Sequence, residues 1–363
     1  MENKVLGFLR RYDMVKPGDR IICAVSGGAD SVALLWCMWM LREKLDIHVE
    51  AAHFNHNLRG AESDRDEKFV RQFCDFHDIP LHVGSGTVVP GKKGLEAAAR
   101  DARYAYLRSL GGTIATAHTA DDNAETVLLH LIRGSGLRGL GGITPKSEGL
   151  IRPMLDVTRD EVESYLAENW ISHVEDSSNA GDAFLRNRIR HSVMPLLKGE
   201  NPSLALNLSA MARRLRQDEQ CLGEMAAQLD PTDVVSLREA HPALRRRALD
   251  AFLKANGMSE PNASHIAQAE SLVFSDKPSA FARFPGGLIL RRNYGKLTAC
   301  REESVLEQVS LNPGESVVLN TGITVRCEAA DGGENTPHSF CVCAEGPVTI
   351  RPRQAGDAIT LSG

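Results

Sequence analysis

The sequence predicts an α/β protein: a doubly wound parallel sheet, then a helical middle domain, then a small α+β unit at the C-terminal end. Three observations predict it. Short β-branched runs alternate with helix-length segments between Arg20 and Arg133, and from about Leu196 the strand signal gives way to long amphipathic patterns. Beyond Cys300, short β-branched runs return, broken by Asn312-Pro313-Gly314 and Asp331-Gly332-Gly333.

Arg20–Val25 is a β-branched apolar run and Ser31–Leu45 has helical length, so the pair reads as strand, glycine turn, helix. Val49–Phe54, Leu81–Gly84 and Thr113–Ala117 read as strands, and Glu62–His77, Leu95–Leu110 and Asp121–Arg133 as helices. Such alternation implies a parallel sheet covered on both faces, with ligands at the carboxyl ends of the strands. Ser203–Leu229 and His241–Asn256 read as amphipathic helices, and Ser316–Leu319, Ile323–Cys327 and Ile359–Leu361 as strands.

With 363 residues, 42% hydrophobic and 25% charged, the chain is long enough for two or three domains and reads as a soluble protein. Residues 1–25 lack a signal-peptide pattern, and Arg42, Glu43 and Lys44 cut the apolar run Val32–Leu41 short of a membrane span, so a cytoplasmic location is expected. The eight cysteines stand singly apart from Cys341 and Cys343, which suits a reducing compartment. A net charge of −5 argues against a polyanionic partner, but the average hides an asymmetry. Residues 183–300 carry 17 basic and 11 acidic side chains, bunched at Arg186/Arg188/Arg190, Arg213/Arg214/Arg216 and Arg245–Arg247. That makes a nucleic-acid partner plausible, although a charge run is more often a solvated helix face.

The strongest chemical signal is Ser26-Gly27-Gly28-Ala29-Asp30-Ser31 between a buried strand and a helix. Two glycines let the backbone turn sharply and expose its amides, and the hydroxyls of Ser26 and Ser31 add donors toward one anion, which suits a phosphate. It is neither a Walker loop nor GxGxxG, and alone it would equally be a plain turn with Asp30 or Ser31 as N-cap. The second strand ends in the polar cluster His53-Phe54-Asn55-His56-Asn57-Leu58-Arg59, placed to meet a base or ribose or simply to be solvated. The fourth ends near His118 and opens a helix at Asp121-Asp122-Asn123-Ala124-Glu125. Asp122 and Glu125 share a face, able to hold Mg²⁺ or an ammonium group, or merely to complement the helix dipole. Glu96, Arg100 and Arg103 recur at helical spacing, so the two arginines face phosphates or a nucleic-acid backbone, or form an ordinary salt-bridged surface.

Taken together, these residues resemble the N-type ATP pyrophosphatases, the PP-loop family with an adenine nucleotide alpha hydrolase-like fold. Further matches are Arg133–Leu137 with Gly139-Leu140, and Ile151-Arg152-Pro153. Glu175–Asn179, then Arg186-Asn187-Arg188-Ile189-Arg190-His191, point to the lysidine-forming branch; Ile350–Arg353 with Gly356-Asp357 is similar to the start of that branch's last domain. Ala358 departs from the pattern, which has Arg there, and the chain stops where about half a further domain would follow. The resemblance implies a catalytic domain at 1–200, a helical tRNA-contacting domain at 201–300 and the start of a C-terminal tRNA-binding domain at 301–363.

The implied reaction is ATP-dependent adenylation of the wobble cytidine C2 oxygen in the CAU-anticodon isoleucine tRNA, followed by attack of the ε-amine of free lysine. Its partners are that tRNA, ATP with Mg²⁺ and L-lysine, with a homodimer as the assembly to test. By the same resemblance Ser26, Gly27, Gly28, Ala29, Asp30 and Ser31 hold the triphosphate, His53 and Asn55 the nucleotide, and Asp30 the metal. Asp122 and Glu125 receive lysine, whose ε-amine must be neutral to attack; that implies a nearby base or a dry pocket, with His118 as the candidate for that environment. Arg100 and Arg103 support phosphates or the flipped cytidine, and Arg186, Asn187, Arg188 and Arg190 face tRNA. Three rivals predict otherwise. A tRNA 2-thiolase needs cysteines, and neither CxxC nor a cysteine in the matched loops is present. A non-catalytic RNA-binding protein predicts no AMP release. A small-molecule ligase predicts no stimulation by tRNA.

Overall fold

The computed structural model describes residues 1–57, 60–86, 94–175, 185–301, 308–319, 323–330 and 346–351. The expected strand at Ile359–Leu361, the stretch 176–184 with most of the Glu175–Asn179 motif, Arg59, Cys341 and Cys343 lie outside them, as does the Glu96 side chain. The chain forms two compact units, Met1–Cys221 and Leu222–Gly363.

The first unit opens with α1 (Glu2–Arg11), β1 (Arg20–Ala24), α2 (Ala29–Leu45), β2 (His48–Asn55) and α3 (Ala61–Phe76). It continues through β3 (Leu81–Ser85), α4 (Leu95–Ser109), β4 (Thr113–Ala115) and α5 (Ala120–Ile132). Then come α6 (Leu137–Leu140), β5 (Lys146–Ser147), β6 (Leu150–Ile151), α7 (Arg159–Glu168), α8 (Leu185–Arg188), a π-helical turn Ile189–Val193 and α9 (Met194–Glu200). The sheet order is β3-β2-β1-β4-β6-β5, parallel except for the β5–β6 pair. Successive connections from β1 lead outward to β2 and β3, and the chain then returns to the other side of β1 as β4. That reversal leaves a crevice above the carboxyl ends of β1 and β4, where a ligand can enter between the diverging loops. The strands read as apolar runs because both faces are covered: Ile21, Ile22, Cys23, Ala51, Ile114 and Ala115 are all buried. Helix α2 is buried through Val32–Leu35, Cys37 and Met38, so its first turn is held rigidly at the end of β1.

The long helix α10 (Leu204–Ala226) follows. The second unit then contains α11 (Val234–Glu239), α12 (Pro242–Ala255) and α13 (Ala263–Val273). It also contains an antiparallel sheet β7 (Ser279–Phe284), β8 (Leu288–Asn293), β9 (Lys296–Arg301), which the sequence reading did not anticipate. The outer face of β7 and β8 carries Phe281, Arg283 and Arg291, so the apolar pattern of Ala282, Phe284, Leu288 and Leu290 is interleaved with charge. Two small pairs, β10 (Val309–Leu311) with β13 (Val348–Ile350) and β11 (Ser316–Val318) with β12 (Thr324–Arg326), agree with the β-branched runs beyond Cys300.

Arg245, one of the bunched arginines, is buried here. It pairs with Glu270 at 2.9 Å, donates to the Ala240 carbonyl at 3.0 Å and lies over the Phe274 ring. Arg246 also pairs with Glu270 at 2.9 Å. Glu270→Ala therefore strands a buried guanidinium, and we expect a loss of about 3–5 kcal/mol in the stability of this unit. Denaturant titration by circular dichroism checks it; an unchanged midpoint would show the pair to be dispensable.

Candidate active site

The loop after β1 can accept an anion. Gly27 has φ of +99°, a backbone that favours glycine, and its carbonyl accepts from the Val174 amide at 2.9 Å. Ser31 Oγ donates to the Gly28 carbonyl at 2.8 Å and accepts from the Ser26 amide at 3.1 Å, with Ser26 Oγ 3.1 Å away. These bonds fold Ser26–Ser31 into a closed turn at the N-terminus of α2, with Gly28 as the cap residue and Ala29 opening the helix. The first-turn amides and the positive end of the helix dipole face the same crevice.

Asp30 sits in that first turn. Its Oδ2 accepts from Arg159 Nη2 at 3.1 Å, while Oδ1 is buried with no hydrogen-bond partner. Burial pushes the Asp30 carboxyl up from its ordinary value, against the pull of Arg159. Arg159 opens α7, where a cation is disfavoured by the helix dipole; that misplacement is the sequence signal by which it could have been found. Its own amide donates to Asp121 Oδ2 at 2.8 Å, and Asp121 Oδ1 accepts from Lys198 at 2.6 Å.

His53 and Asn55, at the end of β2, are buried and engaged within the protein. His53 Nδ1 lies 2.8 Å from the Val25 carbonyl oxygen, and burial holds the ring below the usual histidine range. Asn55 donates to Glu67 at 3.0 Å and accepts from the Asn57 amide at 2.9 Å. His53 thereby braces the strand end that leads into Ser26, and Asn55 the turn after β2.

The second half of the site rises from β4 and α5. Thr119 caps α5 in a reciprocal box with Asp122, whose Oδ2 accepts from the Thr119 amide at 3.0 Å. The box fixes Asp122, and Glu125 one turn on points the same way. Ile189 and Met194 pack with Ala120 and Ala124, which seats α8 and the π-helical turn on α5. This brings Arg186 and Arg190 onto the carboxylates. Arg190 meets Glu125 at 2.6 Å and Asp122 at 3.1 Å; Arg186 meets Glu125 at 3.0 Å and Asp122 at 3.2 Å. Glu125 is almost fully enclosed, with 3% of its side chain exposed, and both guanidiniums reach it there. Burial opposes ionisation of Asp122, but the Thr119 amide, Arg186, His118 and Arg190 outweigh it and the carboxyl lies below its ordinary value. Of the basic stretch, Arg188 is exposed and Asn187 half-buried, while Arg186 and Arg190 turn toward the carboxylates rather than outward.

His118 lies between these carboxylates and a group of arginines. Burial, aided by Arg152, Arg186 and Arg100 and opposed by Asp122, pushes the imidazole down to about 4. It is therefore neutral near pH 7, with Nδ1 3.0 Å from Thr116 Oγ1. Arg100 and Arg103 on α4 lie 5.3 and 5.7 Å from the centre of the buried Tyr104 ring. Among the described residues no cluster of three His, Cys, Asp or Glu side chains could hold a metal ion. The thiols of Cys23, Cys37 and Cys74 are buried in the core and pushed up by burial, so no described cysteine stands at the crevice as a nucleophile. No helix among the described residues is long and apolar enough to cross a membrane.

Comparison with known proteins agrees with this fold. Residues 1–197 match the model of the PP-loop domain, and residues 233–298 that of the TilS substrate binding domain. The chain is 37% identical to the tRNA(Ile)-lysidine synthase of Geobacter sulfurreducens, over 82% of this chain and 68% of that one. It is 32% identical to the enzyme of that name from Bacillus subtilis, over 99% of this chain and 84% of the other, and 34% identical to that of Geobacillus kaustophilus, over 100% and 86%. With these matches running through both units, the chain belongs to the tRNA(Ile)-lysidine synthase family of PP-loop proteins.

Proposed function

We propose that the protein is an ATP-dependent carbon–nitrogen ligase that converts the wobble cytidine of a CAU-anticodon isoleucine tRNA to lysidine. The observation that carries this reading is the juxtaposition, at one crevice, of a phosphate-cradling loop and a buried carboxylate pair in a chain of this family. In the first step the cytidine C2 oxygen attacks the α-phosphorus of ATP, the α–β phosphoanhydride bond breaks and pyrophosphate leaves. Ser26, Gly27, Gly28, Ala29 and Ser31 hold the phosphates through backbone amides and hydroxyls. Asp30 presents its free Oδ1 to Mg²⁺, a fit supported by that buried, unpartnered oxygen. When bound, the metal supplies charge neutralisation at the departing pyrophosphate. His53 and Asn55 shape the adjoining nucleotide pocket, and Arg100 and Arg103 face the flipped cytidine or its phosphate.

In the second step the lysine ε-amine attacks C2, the C2–O bond breaks, AMP leaves and the amine gives up a proton. Asp122 and Glu125 take the α-ammonium, and neutral His118 accepts the proton. Because both carboxylates already pair with Arg186 and Arg190, the incoming ammonium replaces a guanidinium. Arg186, the more exposed, is then released to join Asn187 and Arg188 toward RNA. The absence of a described thiol at the crevice favours this reading over 2-thiolation. A cytoplasmic location follows from the substrates proposed.

The test is incorporation of labelled lysine into an unmodified isoleucine tRNA transcript with a CAU anticodon, with ATP and Mg²⁺, beside a methionine tRNA. We expect incorporation into the first alone. ATP-to-AMP turnover without incorporation would mean that the nucleophile is not lysine.

A further inference from the structure

Arg152 follows β6 directly, at the crevice. Ile151 pairs in parallel with Ala115, and the Thr116 amide donates to the Ile151 carbonyl at 3.0 Å, so Arg152 lies beside the strand end that leads to His118. Its Nη1 donates to the Thr144 carbonyl at 2.5 Å, which anchors one edge of the guanidinium, while Nε is buried and without a hydrogen-bond partner. No carboxylate pairs with Arg152 among the described residues, and none pairs with Arg100 or Arg103, which share the Tyr104 ring. Burial presses against the charged form of both Arg152 and Arg103, Tyr104 acts the other way, and the like charge of Arg100 adds to the effect of burial.

A half-buried guanidinium whose Nε is enclosed without a partner, near two more arginines that no described carboxylate pairs, leaves a donor that an anion would satisfy. The neighbouring carboxylates Asp122 and Glu125 cannot serve, since both are held by Arg186 and Arg190. We propose that Arg152, with Arg100 and Arg103, forms a phosphate-binding site at the carboxyl end of β6, apart from the glycine loop after β1. The planar fork of a guanidinium suits the non-bridging oxygens of a nucleotide phosphate. This site rests on the tRNA-adenylating reading, which supplies two phosphates of that chemistry: the α-phosphate of ATP and the backbone phosphate beside the flipped cytidine.

The experiment compares wild type and Arg152→Met in binding to ATP alone and to an unmodified anticodon stem-loop RNA across a salt series. We expect a 10- to 100-fold loss, on the order expected of one or two charge-assisted hydrogen bonds. Loss with ATP only assigns the nucleotide phosphate. Loss with RNA only, with the log–log salt slope smaller by about 0.7, assigns the backbone phosphate. Loss of both places the two phosphates there in turn. Unchanged affinity for both overturns the proposal. Should the variant fail to fold, phenylglyoxal labelling of Arg152 in the wild-type protein decides: protection by ATP or RNA supports the site, and labelling unaffected by either refutes it. Lysine incorporation by the same wild-type preparation separates failure of this site from failure of the reaction itself.

Discussion

Replacing Asp30 by alanine lowers tRNA-dependent AMP formation by about three orders of magnitude or more, with little change in thermal stability. The expectation follows from the two oxygens of this carboxylate. One is held by Arg159 at 3.1 Å and the other is buried and unpartnered, so the group is oriented toward the crevice before any ligand arrives. A preoriented carboxylate that places a cation at a departing pyrophosphate acts where charge develops, and losing such a group costs several kcal/mol of barrier. The fold itself loses little, because burial penalises the ionised Asp30 and the partner Arg159 is only part-buried. Quenched-flow measurement of AMP release, with calorimetry beside it, separates the two effects. AMP formation within tenfold of wild type would remove Asp30 from the metal role.

Asp30 was legible in the sequence, and its partner was not. The loop Ser26–Ser31 declares itself because glycine, serine and aspartate stand where a buried strand meets a helix, a local pattern with a local cause. Arg159 reaches Asp30 from 129 residues away, and such a contact exists only once α7 is placed. The same division runs through the fold. The strands β1, β2 and β4 are short apolar runs because the parallel sheet is covered on both faces. The sheet β7–β8–β9 was missed because Arg283 and Arg291 alternate with its buried positions on an outward face. Arg186 and Arg190 read as outward charges by their density. They turn inward because Ile189, between them, is buried with Ala120 and Ala124, and because Glu125 needs a counter-charge. Charge density in a sequence thus indicates how many cations there are, but tertiary pairing decides which of them remain available to a ligand.

That pairing shapes the second large effect. Glu125→Gln raises the KM for lysine by about 10- to 100-fold while tRNA-dependent pyrophosphate exchange, measured without lysine, stays within about threefold of wild type. Glutamine keeps the volume of an almost fully enclosed side chain and so avoids a cavity, but it removes the charge that holds Arg190 at 2.6 Å and Arg186 at 3.0 Å. An ammonium ion then finds one carboxylate, Asp122, instead of two, and each charge-assisted hydrogen bond forfeited costs about 1.5–3 kcal/mol, less what the amide oxygen returns. The first step is spared because the bonds that shape Ser26–Ser31 and hold Asp30 come from within the loop and from Arg159, none from Glu125. A further consequence separates binding from proton transfer. His118 is held down to about 4 chiefly by its burial, so in wild type the second step should show no loss from protonation of this ring between pH 7 and about 5. Asp122 is the carboxylate that pulls the ring upward, and Glu125→Gln leaves it in place, so no loss from protonation of the ring is expected in the variant either. A variant with normal lysine dependence, or one in which exchange and lysine use fall together, would show that Glu125 serves the architecture of α5 and α8 rather than the amino acid.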